Sequence, residues 1–468
     1  MRRVTDSCGR PPAAWRAALV AALFGASVAL GATSARAQAT SGWPVEAYGV
    51  KLLERAQAFD AASAQATDLR ARLAPLHERV RVGAFELWTP REALSSSGEW
   101  TPHKPSRDLS KYVDALAKVQ VRWLTRLSAD GVSAAQAQEF ARWAAAWKPG
   151  KRAANEREVA LHDALFEQIH GAPRAADAYG YVVCIAPTRA QLCGLAGAHV
   201  ALRPSALRWI DAPWLSMCRE FFLPDGVLVI GLASCATGAD PKAFIDEPLA
   251  PLTVLENLTH NASHAISNVR HAGAPRWWRE GLAVDDTLSV LGSDETLCSG
   301  ASDASLGGDL GAAIQWLSML SRYKSPYRGP GAAKGFVDAL RHARGERGFE
   351  LIDLDTNRAA FSVQGPWLGN PERTPELVNN APPGVRKCYA ELRRAYDTAF
   401  VRFLDADGAP QRASTLQTLS REFAKRIASG QRQVSLHRLC LETTRRSIGA
   451  STDAAQDFEA AFDAFLAR

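Results

Sequence analysis

The sequence lacks the short motifs that identify several common enzyme classes. It contains no G-x-x-x-x-G-K-[ST] loop and no G-x-G-x-x-G pattern after a strand candidate, which argues against P-loop and dinucleotide-binding enzymes. Residues 231–235 read G-L-A-S-C instead of G-x-S-x-G, so a serine hydrolase of the nucleophile-elbow type has no site. No C-x-x-C pair occurs, which argues against a zinc site built from cysteine thiolates.

The net positive charge of the chain is small once residues 1–37 are set aside. The chain has a formal net charge of +6, and residues 1–37 contribute +4 of it through five arginines and one aspartate. No basic stripe with interleaved aromatic residues accompanies the small remainder, so we expect no nucleic-acid partner. After residue 37 no apolar run has the length of a membrane helix, and we expect no membrane span in the mature chain.

The first 37 residues have the pattern of a cleaved signal peptide. Arginines precede an apolar run at residues 17–30, which is too short to span a bilayer as a finished helix. An A-x-A triplet at residues 35–37 predicts cleavage before Gln38, and the triplet at residues 37–39 offers a shifted alternative. An uncleaved N-terminal anchor is the other interpretation. The composition, rich in alanine and arginine, indicates a bacterial protein, so we expect a periplasmic or secreted location.

Seven cysteines remain after removal of residues 1–37. In an oxidising compartment most of them should pair, which leaves one unpaired. Two local bridges are candidates, Cys184 with Cys193 and Cys218 with Cys235. Because sequence does not determine disulfide connectivity, other pairings stay open.

The spacing of apolar residues predicts an α+β chain that is mostly helical. Residues 43–171 repeat apolar positions at intervals of three and four, notably in the runs 46–73, 109–127 and 134–145. We therefore predict a helical N-terminal domain over residues 38–175.

Residues 176–330 are predicted to form a core domain of strands and helices. Apolar and β-branched runs predict strands at residues 179–186, 198–202 and 226–232. Pro251 occupies a tolerated first-turn position of a predicted helix over residues 252–269, and a second helix is predicted over residues 276–291. Helical spacing also appears at residues 312–323, 332–343, 387–404 and 414–468, so residues 331–468 are predicted to form a helical C-terminal domain.

The most informative feature is a set of polar residues on the first of these two core helices. Glu256, His260 and His264 are spaced by four, which places them one above another on a single face. Two imidazoles at positions i and i+4 of a helix can bind one metal ion. Glu280 follows sixteen residues after His264, within the run W-W-R-E-G-L-A at residues 277–283.

Together these residues resemble the gluzincin zinc peptidases, the thermolysin-like clan. In that family H-E-x-x-H on one helix supplies two zinc ligands, and a glutamate on the next helix, often within W-x-x-E-G-x-A, supplies the third. The run at residues 277–283 matches the second motif, and the strand candidate at 226–232 fits the family's order of sheet and then active-site helix. The resemblance covers residues 178–330. It implies a gluzincin-like core, a small mixed sheet plus active-site helices, flanked by helical N- and C-terminal regions. It also implies zinc as cofactor and a peptide or protein as substrate or partner.

The first motif departs from the family pattern and can be aligned in two registers. In the first register His260 and His264 keep both histidine ligands, with Glu280 as the third ligand, and Asn261 replaces the catalytic glutamate. In the second register Glu256 replaces the first histidine and Asn257 replaces the glutamate. We prefer the first register because it preserves the better metal ligands. Either register places asparagine at the general-base position.

This asparagine has a direct chemical consequence. The family's glutamate takes a proton from the attacking water and passes it to the leaving amine. An asparagine amide cannot accept and return a proton at neutral pH, and general acid–base catalysis contributes about 10²–10⁴-fold to rate. We therefore predict impaired or lost hydrolysis with the ligand set His260, His264 and Glu280 intact.

Two alternatives stay open. One is an active zinc peptidase that uses Glu256, one turn before His260, as an unusual base. The other is a non-enzymatic binding or scaffold protein.

Neighbouring side chains have weaker assignments. By residue type and rough position, Tyr323 is a candidate for steadying the developing oxyanion, with Tyr327 and His271 as further candidates. Asp285 and Asp286 are either partners that orient a ligand histidine or a solvated acidic turn. Trp277 and Trp278 are expected to belong to the core.

Overall fold

The computed structural model describes part of the chain. The described residues are 45–104, 108–127, 132–150, 154–174, 179–202, 220–223, 226–235, 246–292, 397–398, 400–406, 413–431, 434–444 and 465. The predicted signal peptide, Tyr323, Tyr327 and the predicted helices at 312–323 and 332–343 lie outside these residues.

A mixed five-stranded sheet organises the described part of the chain. Its strands are β1 (His77–Val82), β2 (Phe85–Pro90), β5 (Tyr181–Ala186), β6 (Glu220–Leu223) and β7 (Val227–Gly231). They lie in the order β1-β2-β5-β7-β6, in which the β1–β2 and β6–β7 pairs are antiparallel and the β2–β5 and β5–β7 pairs are parallel. Two separate two-stranded ribbons are formed by β3 (Glu92–Leu94) with β4 (Trp100–Pro102) and by β8 (Ala233–Cys235) with β9 (Asp246–Pro248).

Ten described α-helices surround the sheet. In chain order they are α1 (Val45–Phe59), α2 (Leu69–Leu73), α3 (Leu109–Leu127), α4 (Val132–Ala146), α5 (Glu156–His170), α6 (Arg189–Leu202), α7 (Pro251–Arg270), α8 (Arg276–Leu291), α9 (Thr415–Ala428) and α10 (Leu436–Thr444). Residues 400–405 are also helical. The predicted class, α+β and mostly helical with a small mixed sheet, is confirmed for the described part of the chain.

The central strands are apolar on both faces, which explains their continuous hydrophobic sequences. Along β5, Val183 and Ile185 join a core cluster that also contains the buried residues of α3, α7 and α8. Val182 and Cys184 point the other way, into a second cluster with the buried residues of α1 and α6. Because side chains of a strand alternate between faces, the sheet separates two helical layers, and α7 and α8 lie on the same side as α3.

The predicted helical N-terminal domain at residues 38–175 also contains strands, which the prediction missed, at residues 77–102. This stretch contains β1 to β4, and β2 pairs with β5, so the main sheet crosses the predicted boundary at residue 175. The sequence of β1, His77-Glu-Arg-Val-Arg-Val, is too polar to be recognised as a strand by its apolar residues. Its strand conformation depends on pairing with β2, which is a tertiary contact.

The strand predicted at residues 198–202 is also wrong, because these residues complete α6. Residues 189–199 of α6 are buried on every side, so the helix shows little amphipathic spacing that could distinguish it from a buried strand. The other two strand predictions are confirmed by β5 and β7. The helices predicted at 252–269 and 276–291 are confirmed by α7 and α8.

The predicted bridge between Cys184 and Cys193 is wrong. Cys184 is a free, buried thiol, and its Sγ lies 3.3 Å from His77 Nε2. His77 Nδ1 hydrogen-bonds the Leu73 carbonyl oxygen at 2.8 Å, which leaves Nε2 to accept from the thiol. Burial raises the pKa of the Cys184 thiol and lowers the pKa of His77 to about 4, so the pair is neutral. The side chains of Cys218 and Cys235 lie outside the described part.

Buried neutral histidines predict that acid destabilises the fold. Burial lowers the pKa of both His77 and His162 to about 4, from an ordinary value of 6.5. The unfolded chain therefore binds protons first, and stability that is complete above pH 6.5 is lost as pH falls towards 4. We expect each histidine to contribute up to about 1.4 kcal/mol per pH unit to this loss in urea unfolding. His162→Gln should lower the slope of the unfolding free energy against pH by the equivalent of one proton. An unchanged slope would contradict the lowered pKa of His162.

None of the described helices combines the length and the apolar character needed to cross a bilayer.

Candidate metal centre

The hairpin of α7 and α8 brings three predicted ligands together. His260 and His264 stand on α7, and Glu280 stands on α8. The two Nε2 atoms are 3.0 Å apart, and Glu280 Oε2 lies 3.6 Å from that of His260 and 3.7 Å from that of His264. Among the described residues, this is the group whose ligand atoms fall within 4.8 Å of one another.

These distances suit one small divalent cation. Zinc binds imidazole nitrogen and carboxylate oxygen at about 2.0–2.2 Å, so ligand atoms of a tetrahedral site lie about 3.3–3.6 Å apart. The three observed separations bracket that value. The side chains of His260, His264 and Glu280 are 13%, 14% and 16% exposed, so the donor atoms are largely shielded from water.

The electrostatic environment keeps the His264 imidazole neutral. Burial lowers the pKa of His264 to about 4, although the nearby Glu280 carboxylate opposes this shift. A neutral imidazole offers the lone pair that a metal needs, whereas an imidazolium does not.

The group of possible metal ligands contains both histidines of the first register and not Glu256. Glu256 lies on the same helix and is fully buried, but it is not part of the group that surrounds the cation position. Asn261 is also buried, and its Nδ2 donates a hydrogen bond of 2.8 Å to the Asn257 carbonyl oxygen one turn earlier. The amide at the general-base position is therefore tied to the backbone of its own helix.

His271 is a core residue and not an oxyanion donor. Its Nδ1 accepts a hydrogen bond of 2.9 Å from Trp278 Nε1, and its Nε2 is 3.2 Å from the Ser420 carbonyl oxygen on α9. Both ring nitrogens are thus used in packing α7 against α8 and α9. Trp277 and Trp278 are fully buried, as expected, and Trp277 packs edge-on against Phe400 at 5.3 Å.

Asp285 and Asp286 form a buried ion-pair cluster with arginines of other elements. Asp286 accepts from Arg122 Nε at 2.8 Å and from Arg126 Nη1 at 2.9 Å, both on α3. Asp285 accepts from Arg122 Nη2 at 2.6 Å and from Arg402 Nε at 3.0 Å. Burial raises the pKa of Asp286, but the charges of Arg126 and Arg122 outweigh it and hold the pKa below its usual range.

The two aspartates are therefore not a solvated turn. Their ion-pair partners are arginines, and Asp286 also accepts a hydrogen bond of 2.7 Å from Ser263 Oγ. Sequence reasoning missed Arg122 and Arg126. Their spacing of four on a helix with many buried apolar residues was the available signal.

The glycine of the second motif has a packing role. A Cβ at Gly281 would lie 2.6 Å from the Asp397 carbonyl oxygen and 2.7 Å from Val401 Cγ2. The absence of a side chain lets α8 approach the helical residues near 400 closely, one position after the ligand Glu280.

We expect Gly281→Ala to lower the free energy of unfolding by up to about 2 kcal/mol. Overpacking usually costs about 1–3 kcal/mol, and alanine offsets about 1 kcal/mol of this in a helix interior. Urea unfolding measures the change. The matched control is Ser289→Ala on the exposed face of α8, which should change stability by less than about 0.5 kcal/mol. Equal effects of the two substitutions would contradict the close approach.

Comparison of the chain with protein-family models, with curated proteins and with solved structures found no match.

Proposed function

We propose that the chain is an exported metal-binding protein with a gluzincin-like core, in which the ligand set is retained and hydrolysis is impaired or lost. The observation that carries the proposal is the convergence of His260, His264 and Glu280 within 4.8 Å across two helices. These are the residues that the gluzincin resemblance selects from the sequence, and their geometry accommodates zinc.

The order of elements supports the gluzincin-like core. The buried strand β7 is followed by the ribbon of β8 and β9 and then by the hairpin of α7 and α8, which carries the ligands. Export is supported by the basic start, the apolar run and the A-x-A triplet of residues 1–37.

Each side chain of the site has a distinct capacity. His260 and His264 would hold zinc through Nε2, and Glu280 would hold it through Oε2. Zinc, when bound, supplies Lewis-acid polarisation of a bound oxygen. Asn261 cannot move a proton, because an amide has neither a basic lone pair nor an acidic proton at neutral pH. The chain thus retains the side chains that would bind zinc and lacks the side chain that would transfer the proton.

A peptidase that uses Glu256 as base is the weaker alternative. Glu256 is fully buried within α7, whereas the three ligands are each partly exposed. A general base must reach the water that it deprotonates, and a carboxylate enclosed in the core is poorly placed for that. Retained metal binding without turnover agrees instead with a role in binding a peptide or protein partner.

Metal analysis of the purified mature protein, together with a peptide-cleavage assay, tests the proposal. We expect about one zinc per chain. We also expect no chelator-sensitive cleavage of a mixed peptide library. A metal-free protein from zinc-replete cells would refute the metal site. Chelator-sensitive cleavage by the unmodified chain would refute the loss of hydrolysis and favour the Glu256 alternative.

A further inference from the structure

The geometry of the metal centre depends on how α8 packs against α7. Two ligands belong to α7 and the third belongs to α8, so a shift of one helix along the other changes two of the three ligand separations. Metal and catalytic sites tolerate displacements of only about 0.5 Å before function declines. The structural elements that fix the two helices relative to each other therefore determine the quality of the site.

Side-chain hydrogen bonds link the two helices on both sides of Glu280. On the side of the connecting turn, Trp278 Nε1 donates at 2.9 Å to Nδ1 of His271, the residue that directly follows α7. On the far side, Ser263 Oγ donates to Asp286 Oδ2 at 2.7 Å. Asp286 stands six residues beyond Glu280, about 9 Å further along the helix axis. Two attachments separated along the axis restrain both the sliding and the rotation of α8.

The far attachment is itself held by α3. Ser263 Oγ accepts a hydrogen bond of 3.1 Å from Trp123 Nε1 while it donates to Asp286. Arg122 and Arg126, also on α3, bind the carboxylate of Asp286. Ser263, Trp123 and Asp286 are fully buried, so water does not compete for these bonds.

We propose that Ser263 and Asp286 are positioning residues for the metal centre, and that α3 sets its affinity through them. Ser263 directly precedes the ligand His264, so its bond to Asp286 fixes the turn of α7 from which His264 projects. This inference rests on the proposed function, because it assigns a role in metal binding. Under this proposal α3 influences metal binding although it carries none of the three ligands.

Ser263→Ala tests the inference, because it removes the attachment without changing a ligand or a charge. Thr259→Val is the matched control. Thr259 is also fully buried on α7 and directly precedes a ligand, His260, but its Oγ1 donates only to the Leu255 carbonyl oxygen of the same helix at 2.7 Å. Zinc affinity is measured by competition with a chelator. The visible absorption of Co²⁺-loaded protein reports ligand geometry independently of affinity.

We expect Ser263→Ala to weaken zinc binding by about tenfold, the lower end of the effect of outer partners of metal ligands. The Co²⁺ spectrum should change as well, and Thr259→Val should alter neither property. Urea unfolding of the metal-free proteins separates these effects from a loss of stability. Should Ser263→Ala fold poorly, Trp123→Phe removes the donor to Ser263 with the aromatic packing largely kept, and it should weaken zinc binding in the same direction.

The possible failures are distinguishable. If the wild-type protein binds no zinc and no Co²⁺, the proposed function and this inference both fall. If the wild type binds zinc and Ser263→Ala matches Thr259→Val in affinity and spectrum, the positioning role alone is overturned.

Discussion

His264→Ala is expected to abolish stoichiometric zinc binding, from about one zinc per chain to a trace. The substitution removes one of three protein ligands, and since loss of an outer partner alone costs 10–100-fold in affinity, the loss of a ligand should cost more than about 100-fold. The Nε2 of His264 lies 3.0 Å from that of His260 and 3.7 Å from Glu280 Oε2, and the described residues include no fourth His, Cys, Asp or Glu in this group. Elemental analysis after gel filtration measures the change.

Glu256→Gln is the control that separates the two registers of the motif. Glu256 is a ligand in the second register only, and the structure groups His264 with His260 and Glu280 instead. The control should therefore keep its zinc. Thermal unfolding gives a second measurement, because a ligand at 100 times its Kd stabilises the folded state by about 2.7 kcal/mol. Zinc should raise the Tm of the wild type and of Glu256→Gln and leave that of His264→Ala unchanged. Zinc loss from Glu256→Gln with retention in His264→Ala would reverse the ligand assignment.

Asn261→Glu is expected to create or raise chelator-sensitive peptidase activity by about 10²–10⁴-fold, the usual contribution of a general acid–base group. The substitution restores the residue that the gluzincin motif places between the two histidines. A carboxylate cannot donate to the Asn257 carbonyl oxygen as the present amide does, so the side chain at 261 must leave that position. The lost hydrogen bond should cost about 1 kcal/mol of stability, which the fold can accommodate.

Two controls isolate the effect of the carboxylate. Asn261→Gln has the length of glutamate without its basicity and should stay inactive. The double variant Asn261→Glu with His264→Ala has the base without the complete ligand set and should also stay inactive. Cleavage is followed with a mixed peptide library with and without chelator. If Asn261→Glu binds zinc and cleaves nothing, the site has diverged from a peptidase by more than its missing base.

The sequence by itself determined the features that depend on local chemistry. The spacing of four along α7 placed both histidines on one face, and the run at residues 277–283 predicted Glu280 as the third member of the group before any tertiary contact was known. The strands β5 and β7 were likewise predicted from continuous apolar runs. The helices α7 and α8 were predicted from the spacing of apolar residues along the chain. The prediction that the general base is missing rests on residue type alone.

Only the tertiary structure decided how distant segments cooperate. The polar strand β1 forms because β2 pairs with it. Strand β2 in turn pairs with β5, which lies about a hundred residues later in the chain. The proposal of His264 instead of Glu256 as ligand rests on the approach of Glu280 to both histidines across the hairpin. Asp285 and Asp286 form ion pairs with Arg122, Arg126 and Arg402, which are more than one hundred residues away in the sequence. Spacing along the chain cannot reveal such partners, because burial and pairing depend on which elements the fold brings into contact.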